Sequence, residues 1–490
     1  MPNADFLSTE KTVCFLLTFL CLILPQQVLA QAPDRFDEEE LLAANSTFTG
    51  DLEAMVERGF IRLLIPYNRS FFFFDGAEPK GISYESAKLF DQFLNKKLGA
   101  GTRKTHMLII PTPRDELFPW LVEGRGDIAI GNLTITDERL KHVDFSDPFA
   151  INIKEILVTH RRQEKLANLF DLAGMEIHVR KSSSYFEHLD LLNETFAGAG
   201  KKPITIIEAN EHLEDSDLLE MVNADLIPAV IVDEHKAKFW QNILTNILLH
   251  QDIAINSGGR IGWGLRKNSP KLKAVINEYA AGHKKGTLLG NVIINRYLKN
   301  TDYISNIAAD EDTARFQNTV DLFKKYGGKY SFDHLMLVAL AYQESRLNQE
   351  LTSDAGAVGI MQMLPSTAGD AHVGIANIEK LEPNIHAGVK YLRFLSDTYF
   401  PADQGFDPLN RAFFTFAAYN AGPAKVASLR REAAKMGLDP NTWFNNVEIV
   451  AAKRIGRETV QYVSNILKYY VAYKLLEDRL EEQADTPPAR

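Results

Sequence analysis

Cysteine is nearly absent: the 490 residues hold two, Cys14 and Cys21, and none follows. The chain beyond them has no disulfide, no thiolate metal site and no cysteine nucleophile. Long apolar runs are equally scarce. Only Val13 to Leu24 qualifies, interrupted by Thr18, and it is too short to span a bilayer comfortably. Excess positive charge is missing. The 54 Lys and Arg stand against 64 Asp and Glu, a net charge of −10, which gives no electrostatic case for nucleic acid. Histidines at ligand spacing are missing too: His334, His372 and His386 do not form such a set, so no metal or other cofactor is expected. There is no internal repeat and no low-complexity segment.

What is present is ordinary for a globular protein: 45% hydrophobic and 24% charged residues, at a length that allows two or three domains. The apolar run ends at Val28-Leu29-Ala30, small residues where a signal peptidase cuts, so 1–30 reads as a signal peptide. Its first residues depart from the pattern, with Asp5 and Glu10 against Lys11 alone. Thr18-Phe19-Leu20 ahead of Cys21 is too bulky for a lipidation motif, so an exported, unlipidated product is expected, periplasmic and peripheral at most on a membrane. Residues 31–50, with Asp37-Glu-Glu-Glu40, read as a flexible acidic leader.

From Gly59 the pattern changes. Ile61–Pro66, Met107–Ile110 and Gly126–Ile130 read as buried strands, Phe71–Phe74 as a strand or aromatic wall, and Gly81–Leu94 as an amphipathic helix. Alternation of this kind predicts an α/β domain over 51–280 with a mostly parallel sheet. Several stretches in order resemble the family-3 periplasmic solute-binding proteins: Leu121-Val-Glu-Gly-Arg-Gly-Asp-Ile-Ala129, Gly131-Asn-Leu-Thr-Ile-Thr-Asp-Glu-Arg139, Val143-Asp-Phe-Ser-Asp-Pro148, Ser182-Ser-Ser-Tyr185 and Pro228-Ala-Val-Ile-Val-Asp233. The resemblance implies two hinged lobes with a small ligand, an amino acid or a cell-wall fragment, between them. It also implies that Arg139 holds a ligand carboxylate, Asp233 faces an ammonium, and Thr134 and Ser183 donate hydrogen bonds. The structural alternatives are that Arg139 pairs with Glu138 or Asp144 and that Asp233 caps the helix beginning near Glu234.

Lys284–Tyr330 reads as a polar helical stretch that Gly327-Gly328 ends, and the domain boundary is set by a helical connector at 281–314. Helical patterns then run to about 475, and 476–490 is an acidic tail. Leu335–Arg346 is a helix apolar nearly all round, on which Leu337, Leu340, Ala341 and Glu344 share one stripe. A carboxyl group there loses hydration, which disfavours its charged form and suits a general acid. The plain alternative is a glutamate paired with Arg346 or solvated.

Four further clusters follow: the small-residue loop Ser353–Gln362, a helix opening at Asn384, Phe416-Ala-Ala-Tyr-Asn-Ala-Gly-Pro423, and Glu458 one turn before Tyr462. Glu344-Ser345, then Gly359-Ile-Met-Gln362, then Ala418-Tyr-Asn-Ala-Gly422, then Glu458-Thr-Val-Gln-Tyr-Val463 resembles the signature of the soluble-type lytic transglycosylases over about 315–475. That implies an all-α, lysozyme-like domain after the two-lobed α/β domain, acting on peptidoglycan. The implied reaction cleaves the β-1,4 bond between N-acetylmuramic acid and N-acetylglucosamine without water, leaving a 1,6-anhydromuramic acid end. Glu344 would be the only acid–base. Ser345, Gln362, Tyr419 and Asn420 would position sugar and N-acetyl groups, Met361 would be an apolar wall, and Glu458 and Tyr462 would shape the groove. A peptidoglycan sensor without catalysis, and a water-using hydrolase of the same fold, remain as alternatives.

Overall fold

The structure, a computed structural model, describes residues 46–66, 72–75, 78–99, 104–283 and 310–485. The expected signal peptide, most of the leader and most of the connector lie outside the described residues.

The α/β part is built on a nine-stranded sheet. Its strands are β1 (Phe60–Ile65), β4 (His106–Pro111), β5 (Ile128–Thr134), β6 (Asp144–Phe145), β7 (Ala150–His160), β8 (Glu176–Arg180), β9 (Thr205–Ala209), β10 (Ala229–Asp233) and β11 (Ile247–Leu265); β2 (Phe73–Asp75) and β3 (Glu78–Lys80) form a separate hairpin. The order is β4-β1-β5-β11-β7-β10-β8-β9, with β6 on β11. The sheet is mixed, not mostly parallel. β1 lies parallel to β4 and β5, and β8 to β9 and β10, but β7 and β11 run antiparallel to each other and to their outer neighbours. The reason is topological. These two long strands pass between the lobes, so each lobe keeps its own parallel set, β1, β4 and β5 in the first lobe and β8, β9 and β10 in the second, and the crossing strands join the sets. Their register shifts repeatedly between His250 and Ile261, where the path leaves one lobe for the other.

Strand β1 is buried along its whole length, which explains its nearly continuous apolar reading. Its exception, Arg62, is fully buried and held by Asp127 at 3.0 Å. The same guanidinium donates to Ser46 O at 2.6 Å and Gly124 O at 2.8 Å, and Phe48 N–H donates to Gly124 O. The last residues of the expected leader are therefore strapped to the first lobe.

The C-terminal half is helical. Its main helices are Asp310–Tyr330, His334–Ser345, Leu381–Tyr399, Pro408–Ala421, Pro423–Lys435, Glu448–Arg454 and Arg457–Asp485. The first of these runs through Gly327 and Gly328 instead of ending there. A Cβ on Gly327 would sit 2.8 Å from Phe332 O, so the glycine serves the tight turn into the next helix. The expected tail also belongs partly to the fold: the last helix continues to Asp485, Leu476 is buried, and Glu477 binds Lys324 and His334 at 2.8 and 3.0 Å. No described helix is long and apolar enough to cross a membrane.

The two halves are packed on each other. Ala472 of the last helix lies in the apolar cluster of the second lobe with Leu218 and Met221. On the same helix Lys468 is buried and bonds Glu220 at 2.5 Å, and the Phe444 ring stacks on His212 at 4.8 Å.

Candidate active site

Helix His334–Ser345 positions the candidate acid. Asp333 caps it by accepting from Leu335 N–H at 2.8 Å, and every residue from Leu335 to Tyr342 is buried. The helix stops because Arg346 and Leu347 take left-handed φ values of 55° and 58°. Glu344 thus stands in the last turn, where the buried core gives way to a partly exposed surface. Burial pushes its carboxyl up to about 7, against the pull of one hydrogen bond: the Tyr462 hydroxyl donates to Glu344 Oε1 at 2.5 Å. The Tyr462 and Tyr419 hydroxyls are themselves held well above the usual tyrosine range, first by burial and then by the Glu344 carboxylate.

The loop after this helix is fixed from several sides. Ser345 Oγ donates to Ile360 O at 2.8 Å and accepts from Asn348 N–H. Asn384, fully buried, accepts from Met361 N–H at 2.9 Å and donates to Val358 O and Ile378 O at 2.8 and 2.7 Å. Gly359 sits at φ +78° against that amide; a Cβ there would lie 2.5 Å from Asn384 Nδ2. Gln362, at φ 45°, folds its amide back onto Gly359 O and Leu351 O. Tyr419 Oη donates to Met361 O at 2.7 Å, which ties the loop to helix Pro408–Ala421. Asn420 accepts from the Thr459 hydroxyl at 2.8 Å, and that bond brings helix Arg457–Asp485 to the same place.

The structure therefore gathers Glu344, Tyr462, Tyr419, the Met361 carbonyl, Asn420 and Ser345 around one helix end. Two expectations change. The Met361 side chain is fully buried against Gly388, so it is core and not a groove wall, because the glycine leaves room for it. Ser345 is buried with its hydroxyl engaged on backbone, so its position is that of a loop tie. Glu458 is exposed, although Tyr462 one turn later on the same helix is buried.

Sequence reasoning passed over Asn384, Thr459 and Glu448. Asn384 opens a helix in a quoted motif, and a buried polar residue there needs partners, which the loop supplies. Glu448, 4% exposed, accepts one bond from Asn445 N–H at 3.0 Å; burial pushes its carboxyl up to about 7. The signal was the apolar surroundings Trp443-Phe444 and Ile449-Val450.

The cleft between the lobes holds the other predicted residues. Arg139, 9% exposed, pairs with Glu187 at 2.7 Å and not with Glu138 or Asp144. Asp233 stands at the cap position of helix Glu234–Gln241, makes no side-chain cap bond, and meets Lys236 at 3.0 Å. Ser183 caps helix Ser184–Gly198 by accepting from Phe186 N–H. Thr134, buried at the end of β5, gives its carbonyl to Arg139. Among the described residues no group of His, Cys, Asp and Glu is placed to hold a metal ion. The three histidines have other contacts: His334 with Glu477, His372 stacked on Phe394 at 4.2 Å, His386 on Tyr326 at 4.4 Å.

Comparison with known proteins adds two family matches. Residues 321–440 match the transglycosylase SLT domain, and 65–299 match the bacterial extracellular solute-binding proteins, family 3. A protein of Desulfosudis oleivorans named membrane-bound lytic murein transglycosylase F is 28% identical, covering 84% of this chain and 90% of its own. One of the same name from Pseudomonas fluorescens is 26% identical, covering 86% and 85%. Among solved structures, an ancestral arginine-binding protein bound to arginine is 23% identical, covers 49% of this chain and 98% of its own, and has a TM-score of 0.39.

Proposed function

From the premise that this chain joins a family-3 solute-binding domain to a transglycosylase SLT domain, like the proteins named membrane-bound lytic murein transglycosylase F, we propose that it cleaves peptidoglycan strands. The bond is the β-1,4 link from N-acetylmuramic acid to N-acetylglucosamine, and the product is a 1,6-anhydromuramic acid end. The observation that carries this reading is Glu344, a carboxyl pushed up to about 7 by burial with its Oε1 held by Tyr462. Such a group is protonated in a large fraction of molecules at neutral pH, as a general acid requires.

The usual glycosidase uses two carboxyl groups. Here only burial and Tyr462 act on the titration of Glu344, and among the described residues no neighbouring carboxylate contributes. One group then serves twice. Glu344 protonates the leaving glycosidic oxygen, and the substrate's own N-acetyl carbonyl stabilises the positive centre that develops. Glu344, now ionised, takes the proton from the C6 hydroxyl, whose oxygen closes the anhydro ring. Tyr462 supports the ionised form between the two steps. We assign Asn420 and Gln362 to sugar contacts, Tyr419 and Ser345 to holding the loop, and Glu458 to the margin of the groove.

For the two-lobed domain we retain the reading of a small-solute module, with Arg139 for a carboxylate, Asp233 for an ammonium, and Thr134 and Ser183 as hydroxyls. An amino acid or muropeptide fits that set. Location in the periplasm, peripheral to the outer membrane, is supported by the apolar segment at 13–24 and by relatives named membrane-bound.

The test is mass spectrometry of sugars released from purified peptidoglycan, with Glu344→Gln as control. Anhydromuropeptides from wild type alone are expected. Reducing-end products would move the assignment to a hydrolase, and binding without any product would leave a sensor.

A further inference from the structure

The charged groups that face the cleft between the lobes are already engaged. Arg139, on the first lobe, donates from Nε to Glu187 Oε1 at 2.7 Å and from Nη2 to Ser182 O at 2.9 Å, both on the second lobe. Asp233, fully buried on the second lobe, accepts from Asn132 Nδ2 of the first at 2.8 Å. The Lys236 ammonium lies 3.0 Å from the same Asp233 oxygen and donates to Asp215 at 2.7 Å. At the rim, the Arg114 fork grips Glu214 across the gap at 2.8 and 2.9 Å. The space left beside Arg139, Asn132 and Lys236 is about 40 Å³. Small-molecule sites usually measure about 300–1,000 Å³.

We propose that Glu187 and Lys236 are a built-in occupant of this cleft, the carboxylate of one filling Arg139 and the ammonium of the other filling Asp233. The two charges of a free amino acid are thus reproduced by the chain itself, and the lobes close without a solute. The inference rests on the solute-module reading of the cleft given above. A diffusing ligand loses translational and rotational freedom when it bridges two lobes, whereas a tethered carboxylate does not. Any solute must first displace this occupant, and its apparent affinity falls by the fraction of molecules in which the occupant has left.

Labels on Val122→Cys of the first lobe and Leu191→Cys of the second, both exposed, report the separation of the lobes. Cys14→Ser and Cys21→Ser remove the only other thiols of the full chain. Pulsed electron spin resonance without solute is expected to give one short-distance population that millimolar arginine or glutamate leaves unchanged. Glu187→Ala is expected to shift that population to longer distances and to raise amino-acid affinity at least tenfold. A Glu187→Ala chain as closed as wild type, or a wild type that closes only when amino acid is added, overturns the proposal. If Glu187→Ala does not fold, the exchange Arg139→Glu with Glu187→Arg decides: restored short distances support the latch, an open distribution overturns it. An opened Glu187→Ala chain that binds no amino acid keeps the latch and removes the solute-module reading instead.

Discussion

Tyr462→Phe isolates the hydroxyl that steadies Glu344. The ring is buried and stays, so the change removes one donor, the 2.5 Å bond to Glu344 Oε1. That bond favours the carboxylate and opposes the burial that raises Glu344 to about 7. A hydrogen bond to a charged group contributes about 1.5–3 kcal/mol, and 1.36 kcal/mol corresponds to one pKa unit. The neutral acid also accepts from the hydroxyl, so the lower end applies, and the expected rise is about one unit. The sign follows from the chemistry. Cleavage needs the protonated acid, so activity falls as pH rises through the Glu344 pKa, and Tyr462→Phe moves that alkaline limb upward. The assay is the pH dependence of anhydromuropeptide release. A limb that stays in place, or moves to lower pH, refutes the reasoning.

Three other perturbations follow from the same structure. Glu448→Gln removes a buried acid whose folded pKa, about 7, is raised above its ordinary 4.5. Such a group contributes fully below about pH 4.5 and progressively less as pH rises to about 7, so the variant should be more stable than wild type at pH 8 by about 3 kcal/mol and equal to it at pH 4, in urea titrations. Lys468→Met leaves Glu220 charged in the interface between the halves and should cost about 3–5 kcal/mol, whereas Lys468→Met with Glu220→Leu should recover most of the loss; a double variant no better than the single one sinks this account. Gly359→Ala forces a Cβ to 2.5 Å from Asn384 at a left-handed φ, and should lower both melting temperature and activity, with a cost of about 1–3 kcal/mol.

Much of this was legible in the sequence because it is written in local patterns. The apolar stripe carrying Glu344 needs only the helical period, and the buried run 61–65 needs only the continuity of its apolar residues. What escaped depends on partners far away in the chain. Nothing near Arg139 announces Glu187, forty-eight residues on, and the local candidates Glu138 and Asp144 were the natural ones to weigh. Met361 looked like a groove wall because its motif neighbours point to chemistry, but Gly388 opens a core site for it. The mixed sheet was hidden for the same reason: strand direction in β11 is fixed by pairing with β5 and β7, not by its own residues. Gly327 and Gly328 read as a stop until the close approach of Phe332 O gave one of them a different use.

The path of β11 has a consequence for how the chain is built. The first lobe is discontinuous: its sheet needs Ile261–Leu265, and its aromatic core needs Trp263 and Tyr279, which pack on Phe90 at 5.5 and 5.3 Å. A chain delivered from its N-terminus would have β1, β4 and β5 long before the strand that covers β5. Until residue 261 emerges, β5 is a bare apolar edge, the kind of surface that pairs with whatever strand it meets first. The second lobe, whose segments lie within the interval, would form while the first waits. Contacts of this sequence separation slow folding even where they cost little stability. A chain that stops short of β11 would therefore lose more than its last strand: it would leave the first lobe open to aggregation.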